Sequence, residues 1–438
     1  MLLGINELNF TISLKFGTFD DHVKTRLENE TIRSDTVKAV SVRVIVAGFC
    51  TVAIAYSVRY GYGMLLPEMI GPLSLSKTDA GIIYGCYFFT YTCFTPLLGT
   101  LSDLFRYRTI LIIFPGLLAL GAMLMGTANG LGEAAFYYSI AGLGHAACWV
   151  PVISLVQHWV PDNRKGLVLS LVAMGVGLGI PFWGWCLPIV VRLFDWRAGW
   201  TALGAAAMAV MVINSVLVRD PDNTQNKNEG GTSTLVQVRQ IYMTLAGDLR
   251  FWLVGLAYLL IGFNVLVPFT FLPVYAREAL GLEFGVSTGL VGIIALFGIG
   301  GQLTIGPLSD HLGRIRAMIL CGFIMGCGCL AMGMADGARG LQVAAAFFGL
   351  GYGAVWPMYG AAASDLFSKG WSGSVIGLWT MLLGIGSILS PILCGWTIDV
   401  SGSWFRVFLL GVSSGIGSAA ILTLFYERLT RHNPTIGK

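Results

Sequence analysis

The chain has 438 residues, 55% hydrophobic and only 11% charged, with a formal net charge of +4 and a mean hydropathy of +0.74. A water-soluble domain carries about 25% charged residues, so this composition excludes a soluble globule and predicts a polytopic helical membrane protein. No basic run lies behind the small positive charge, so a nucleic-acid partner is not expected.

Residues 1–41 are polar and mixed in charge, with no basic stretch leading into an apolar core. That predicts a cytoplasmic tail rather than a signal peptide. Within it Leu8, Phe10, Ile12, Leu14 and Phe16 alternate in the manner of a strand. A helix needs about 20 apolar residues to cross the bilayer core. That window predicts twelve spans, over residues 42–66, 78–100, 109–129, 133–159, 167–190, 198–218, 251–273, 286–307, 317–336, 340–366, 373–396 and 405–426. The first six form an N-terminal half, 42–218, and the last six a C-terminal half, 251–426. A polar cytoplasmic linker, 219–250, joins them, and 427–438 form a cytoplasmic C-terminal tail. With the N-terminus inside, the inner segments hold 20 of the 27 Lys and Arg residues, the outer loops hold 6, and the remaining one is Arg59. This asymmetry predicts that both termini are cytoplasmic.

The two halves repeat. Gly99-Thr-Leu-Ser-Asp103 recurs as Gly306-Pro-Leu-Ser-Asp310, an offset of 306 − 99 = 207. The same offset carries Gly142-Leu-Gly144 and Trp149 onto Gly349-Leu-Gly351 and Trp356, and Gly177 and Gly179 onto Gly384 and Gly386. Two like halves related by an axis along the membrane normal form an alternating-access architecture. On these motifs the chain resembles the major facilitator superfamily over nearly all of its length. The segment Gly306-Pro-Leu-Ser-Asp310-His-Leu-Gly313-Arg314-Ile-Arg316 matches the cytosolic loop signature of that family. The first copy, Gly99-Thr-Leu-Ser-Asp103-Leu-Phe-Arg106-Tyr-Arg108, keeps the Gly and the Asp but has Arg106 where the glycine usually sits. Gly175-Val-Gly177-Leu-Gly179-Ile-Pro181-Phe-Trp-Gly184 is similar to the fifth helix of the family's exchangers. Arg59-Tyr-Gly-Tyr-Gly-Met-Leu-Leu-Pro67, Phe269-Thr-Phe-Leu-Pro273-Val-Tyr-Ala-Arg277 and Asp195-Trp-Arg-Ala-Gly-Trp200 look like the bacterial monocarboxylate-porter-like and oxalate–formate-exchanger-like branch. The resemblance implies an all-α membrane protein of twelve transmembrane helices in two six-helix pseudo-symmetric halves. It also implies that the first, fourth, seventh and tenth helices line a central path. In one respect the chain departs from the animal monocarboxylate porters, which carry an Asp and an Arg in helix eight. Here Gly298 and Gln302 stand about where that pair would fall, so coupling protons through it is not available.

Arg59 is the one charge deep inside an apolar segment. A guanidinium in lipid is costly and must face a partner or a wet space. Its planar fork suits a carboxylate, which accepts two parallel bonds. The structural alternative is an arginine bonded to backbone carbonyls or reaching outward along its helix. Helical spacing sets Tyr56, Arg59, Tyr60 and Gly63 on one face. His145 near the centre of the fourth span, its repeat mate Tyr352, Asn264 in the seventh span and Gln302 in the eighth complete the expected substrate-binding set. His145 reads either as a relay or ligand, or as a neutral histidine packed between helices. Tyr84, Tyr87 and Tyr91 share a face of the second span, as packing or as lining. Asp103, Arg108, Asp310 and Arg314 are expected to brace a cytoplasmic gate, each carboxylate beside an arginine.

The nine cysteines show no CxxC pair or His/Cys ligand spacing, so neither disulfides nor a metal site are expected. No nucleophile–base pairing or phosphate loop points to an enzyme, and no cofactor is expected. The sequence predicts a secondary or facilitative transporter of a small organic anion, a mono- or dicarboxylate. It would work by alternating access, as a monomer in the inner membrane of the cell. With no carboxylate deep in the spans, anion exchange or facilitated movement is the simpler mode, and proton symport through His145 is the variant. A drug or metabolite exporter and a transporter-like membrane sensor are the competing readings.

Overall fold

The computed structural model describes residues 40–160, 164–220, 242–367 and 371–430, without the side chains of 99–104. The alternating segment at 8–16 and the centre of the linker lie outside the described residues. Twelve helices are long and apolar enough to cross a membrane. They are α1 (Val40–Met69), α2 (Lys77–Leu104), α3 (Tyr107–Met125), α4 (Leu131–Trp159), α5 (Lys165–Leu193), α6 (Trp196–Leu217), α7 (Leu249–Glu278), α8 (Phe284–Leu312), α9 (Arg314–Gly333), α10 (Ala338–Leu366), α11 (Ser372–Ser401) and α12 (Trp404–Leu424). The described residues contain no strand. A helix satisfies its backbone internally, which is what a bilayer demands of a spanning segment. Outward-facing Leu303, Val216 and Val343 are exposed, as a lipid-facing surface would be.

The fourth span departs from expectation. The sequence predicts one helix through 133–159; the structure breaks it after His145 and resumes it at Val150. Pro151, in the first turn of the second segment, is the physical cause. It has no N–H to return to the preceding turn, and its ring excludes a continuous helix across that point. The turn at the break is closed by the Cys148 N–H, which donates to the His145 carbonyl at 2.8 Å.

The repeat is visible in the packing. Gly142 of α4 lies against Tyr87 and Thr90 of α2, and Gly349 of α10 lies against Ile294 and Phe297 of α8. Gly144 lies against Phe114 and Leu118 of α3, and Gly351 against Cys321 and Met325 of α9. Every partner is displaced by the same offset as the glycine it meets. Small residues let membrane helices approach this closely.

Between the halves, the helix contacts run α2 against α11 and α5 against α8, and they crowd toward one end. Gly81 and Gly85 press on Pro391 and Ile392, Gly395 on the Lys77 carbonyl, and Gly63 on the Phe269 carbonyl. At the end that carries the signature loops, Gly166, Gly306, Gly373 and Gly377 meet nothing within 4 Å. Polar contacts follow the same division. Lys77 pairs with Glu278, and Arg277 with Glu68 at 3.4 Å, both across the halves at the crowded end. Asp399 of α11 accepts the Lys77 and Thr78 N–H groups at 3.1 and 2.7 Å, capping the start of α2 from the other half. Among the described residues the contacts between the halves therefore gather at the end opposite the signature loops, where the halves are closed together.

Candidate functional site

Arg59 sits on α1 and is only 6% exposed. Four aromatic rings surround its guanidinium: Tyr91 with its centroid 4.3 Å from Cζ, Tyr56 at 4.9 Å, Phe88 at 5.1 Å and Tyr87 at 5.9 Å. Three of these come from α2, whose Tyr87, Phe88 and Tyr91 are brought to one face by helical spacing. Desolvated cation–π contacts of this kind are worth about 2 kcal/mol, enough to hold the cation at the centre rather than let it reach outward.

The cage is made of ring faces, which accept no conventional hydrogen bond. Nε and Nη2 of Arg59 are both buried and have no hydrogen-bond partner. The hydroxyls of Tyr60 and Tyr87 interact with the guanidinium, but neither bonds Nε or Nη2. Nε–H and Nη2–H are the two parallel donors of the guanidinium edge, the pair that grips a carboxylate bidentately. A buried donor left unpaired costs about 1–3 kcal/mol, so this edge is poised for an acceptor. Neither structural alternative is what is seen: the guanidinium does not run out along α1, and these nitrogens do not sit on backbone carbonyls.

The backbone of α1 is pinned at the same point. The Arg59 carbonyl accepts the hydroxyls of Tyr84 and Tyr138, each at 2.8 Å. Tyr138 of α4 also stacks on Tyr62 at 5.0 Å and on Tyr87 at 4.5 Å. Tyr138 and Phe88 carry no charge or motif, so nothing beyond aromatic spacing singles them out in the sequence.

His145 ends the first segment of α4, with Nδ1 2.6 Å from the Tyr87 hydroxyl. Its ring meets Tyr56 edge-on at 4.9 Å and Tyr91 at 5.2 Å. The break in α4 then delivers Trp149 against Tyr56 at 6.1 Å. From the second half, Phe269 of α7 packs on Tyr60 at 4.0 Å, and the Tyr352 hydroxyl of α10 donates to that of Tyr60 at 3.3 Å. Trp356 lies edge-on to both Tyr352 and Tyr258, at 5.7 and 6.2 Å. The structure thus brings together Tyr56, Arg59, Tyr60, His145 and Tyr352 of the expected set, and adds the α2 tyrosines.

Two expected residues are not part of this group. Asn264 points into its own half: Nδ2 donates to the Gly411 carbonyl at 2.6 Å and lies 3.6 Å from the Cys329 sulfur. It ties α7 to α12 and α9 through its NH2 group, while its Oδ1 is buried without a partner. Gln302 is half-buried on α8, one turn beyond Gly298, whose Cα faces the Tyr352 ring. Among the described residues no hydrogen bond joins Gln302 to the Arg59 group.

Of the gate residues, Arg314 pairs with Asp310 at 2.5 Å and reaches Asp365 at 3.8 Å, tying the ends of α8, α9 and α10. This network stays inside one half. Arg108 donates through its guanidinium to the Ser215 carbonyl at 2.6 Å, and its N–H to Asp220 at 3.0 Å, so it anchors α3 to the end of α6. The Asp103 side chain lies outside the described residues. Among the described residues the ion pairs that cross the halves, Lys77–Glu278 and Glu68–Arg277, lie at the opposite end, with the Asp399 cap on α2.

Comparison with known proteins matches this architecture. The profile of the Major Facilitator Superfamily matches residues 48–391 and 300–437. "Probable sulfoacetate transporter SauU" of Cupriavidus necator is 20% identical over 395 residues, covering 84% of this chain and 90% of its own. "Monocarboxylate transporter 11" of Homo sapiens is 24% identical over 410 residues, covering 90% and 84%. A mutant form of the nucleoside transporter NupG superposes with a TM-score of 0.76 at 13% identity, over 88% of this chain and 100% of that one. The last likeness shows the fold alone.

Proposed function

From the premise that the chain belongs to the major facilitator superfamily and is a multi-pass membrane protein, we propose that it carries a small organic anion across the membrane by alternating access. Arg59 would hold the anion, with Tyr56, Tyr60, His145 and Tyr352 around it. One observation carries this reading: the Nε/Nη2 edge of a buried arginine stands free of hydrogen bonds inside an aromatic cage. A carboxylate, or another flat pair of anionic oxygens, satisfies both donors and neutralises the charge. The names of two relatives, a sulfoacetate transporter and a monocarboxylate transporter, fit an anionic head group.

The Lys/Arg asymmetry places the signature loops inside. On that orientation the closed end is external and this is an inward-open state, in a cell inner membrane with both termini cytoplasmic. The halves 42–218 and 251–426 would rock about α2–α11 and α5–α8. Anion exchange or facilitated movement needs no buried acid, and among the buried described residues there is none.

The test is a thermal-stability screen of the purified protein against carboxylates, phosphates, sugars and cations, with Arg59→Ala beside it. A ligand that binds only the native state stabilises it by about 2.7 kcal/mol at a hundredfold excess over its Kd. Stabilisation of the wild type by carboxylates, absent in the variant, supports the reading. Stabilisation of both proteins by neutral or cationic compounds alone assigns the exporter role instead. Binding without flux in liposomes assigns a sensor.

A further inference from the structure

We infer that the anion taken at Arg59 is a monoanion with a flat, apolar body, an arene or conjugated carboxylate, held head-first on the guanidinium between aromatic faces from the two halves. The inference rests on the function proposed above and narrows its substrate class.

Charge sets the first limit. Among the buried described residues Arg59 is the only Lys, Arg, Asp or Glu. It neutralises one negative charge. A second carboxylate on the same ligand would enter a low-dielectric space with no cation to meet it, and an unpaired buried charge is strongly disfavoured. The site therefore selects against dianions without any specific repulsive group.

The walls set the second. Trp149 and Trp356 occupy the same position in the repeat, 356 − 149 = 207, one on the second segment of α4 and one on α10. Each stands edge-on to a tyrosine of its own half, Tyr56 and Tyr352, at 6.1 and 5.7 Å. Tyr56, Tyr91, Trp149 and Trp356 are only half-buried, so each keeps some surface free of protein. The fold's own pseudo-symmetry thus gives each half an indole that reaches the Arg59 cage through a tyrosine, Trp149 through Tyr56 and Trp356 through Tyr352, whose hydroxyl bonds that of Tyr60. Aromatic pairs in offset or edge-on geometry gain energy beyond their buried area, which favours a flat ring over an aliphatic chain of equal size.

The experiment is equilibrium binding to the full-length purified protein of benzoate, cyclohexanecarboxylate, acetate and terephthalate. The inference predicts benzoate tighter than acetate and than terephthalate by about tenfold or more, the ratio that corresponds to ~1.4 kcal/mol, with cyclohexanecarboxylate weaker than benzoate. Trp356→Leu should lower the benzoate affinity more than the acetate affinity, and Trp356→Phe, which keeps a ring and guards against a folding defect, should restore most of the difference. Acetate or terephthalate binding as tightly as benzoate overturns the inference while the anion reading stands. Benzoate and acetate binding equally to wild type and to Arg59→Lys overturns both.

Discussion

Arg59 sits between two opposed effects. Its cation–π contacts hold it, at about 2 kcal/mol, while two desolvated N–H donors without acceptors cost about 1–3 kcal/mol each. At the low end of that range the two effects cancel, and above it the unpaired donors cost more, so the ligand-free protein gains nothing from this residue. Arg59→Met should accordingly leave the thermal stability of the ligand-free protein unchanged or raised, by up to about 2 kcal/mol, while abolishing stabilisation by carboxylates. Calorimetry on the two proteins checks this, and a variant that unfolds several degrees earlier without ligand would mean that the arginine is structural. The Tyr138 hydroxyl acts one step away, on the Arg59 carbonyl. Tyr138→Phe should cost about 1 kcal/mol of stability and weaken anion binding by shifting where α1 presents the guanidinium; denaturation and binding measured on the same sample separate the two effects.

At the scale of elements, most of the fold was legible because a spanning helix is an uninterrupted apolar run, and all twelve predicted spans fall on helices of the structure. The interruption of α4 was not read, because hydropathy averages over Pro151, which stands in an apolar run like any other residue. Yet that break delivers Trp149 beside Tyr56. Asn264 stands apart from the Arg59 group, bonded within its own half, because spacing along a helix fixes relative faces but not which face meets the path. Arg59 and its tyrosine neighbours were legible because a lone charge in an apolar segment has few tolerable surroundings. Pro151→Ala should allow α4 to run on through 146–149, swinging His145 and Trp149 off their present contacts. The expected result is folded protein of near-normal stability with weakened anion binding; unchanged binding would show that the break does not shape the site.

At the scale of the whole molecule, the two halves are held at one end by Lys77–Glu278, Glu68–Arg277 and the Asp399 cap on α2. Exposed ion pairs contribute about 0–1 kcal/mol each and a helix cap about 1 kcal/mol. Together they form a latch of a few kcal/mol, the scale on which two conformers exchange. Asp399→Asn with Glu278→Gln should populate a state opened at that end, read as a longer spin-label distance between the 70–76 and 279–283 loops. Gly63→Val should act in the same direction, since its side chain would strike the Phe269 carbonyl only while that end is closed. The central claim, however, is transport of an organic anion through Arg59, and the direct measurement is uptake of a labelled monocarboxylate into liposomes bearing the purified protein, wild type beside Arg59→Lys. The account predicts saturable uptake by the wild type, and a loss of tenfold or more (about 1.4 kcal/mol or more) in the variant, which keeps the charge but not the fork. Equal uptake by the two proteins, or none by the wild type with any organic anion, would contradict it.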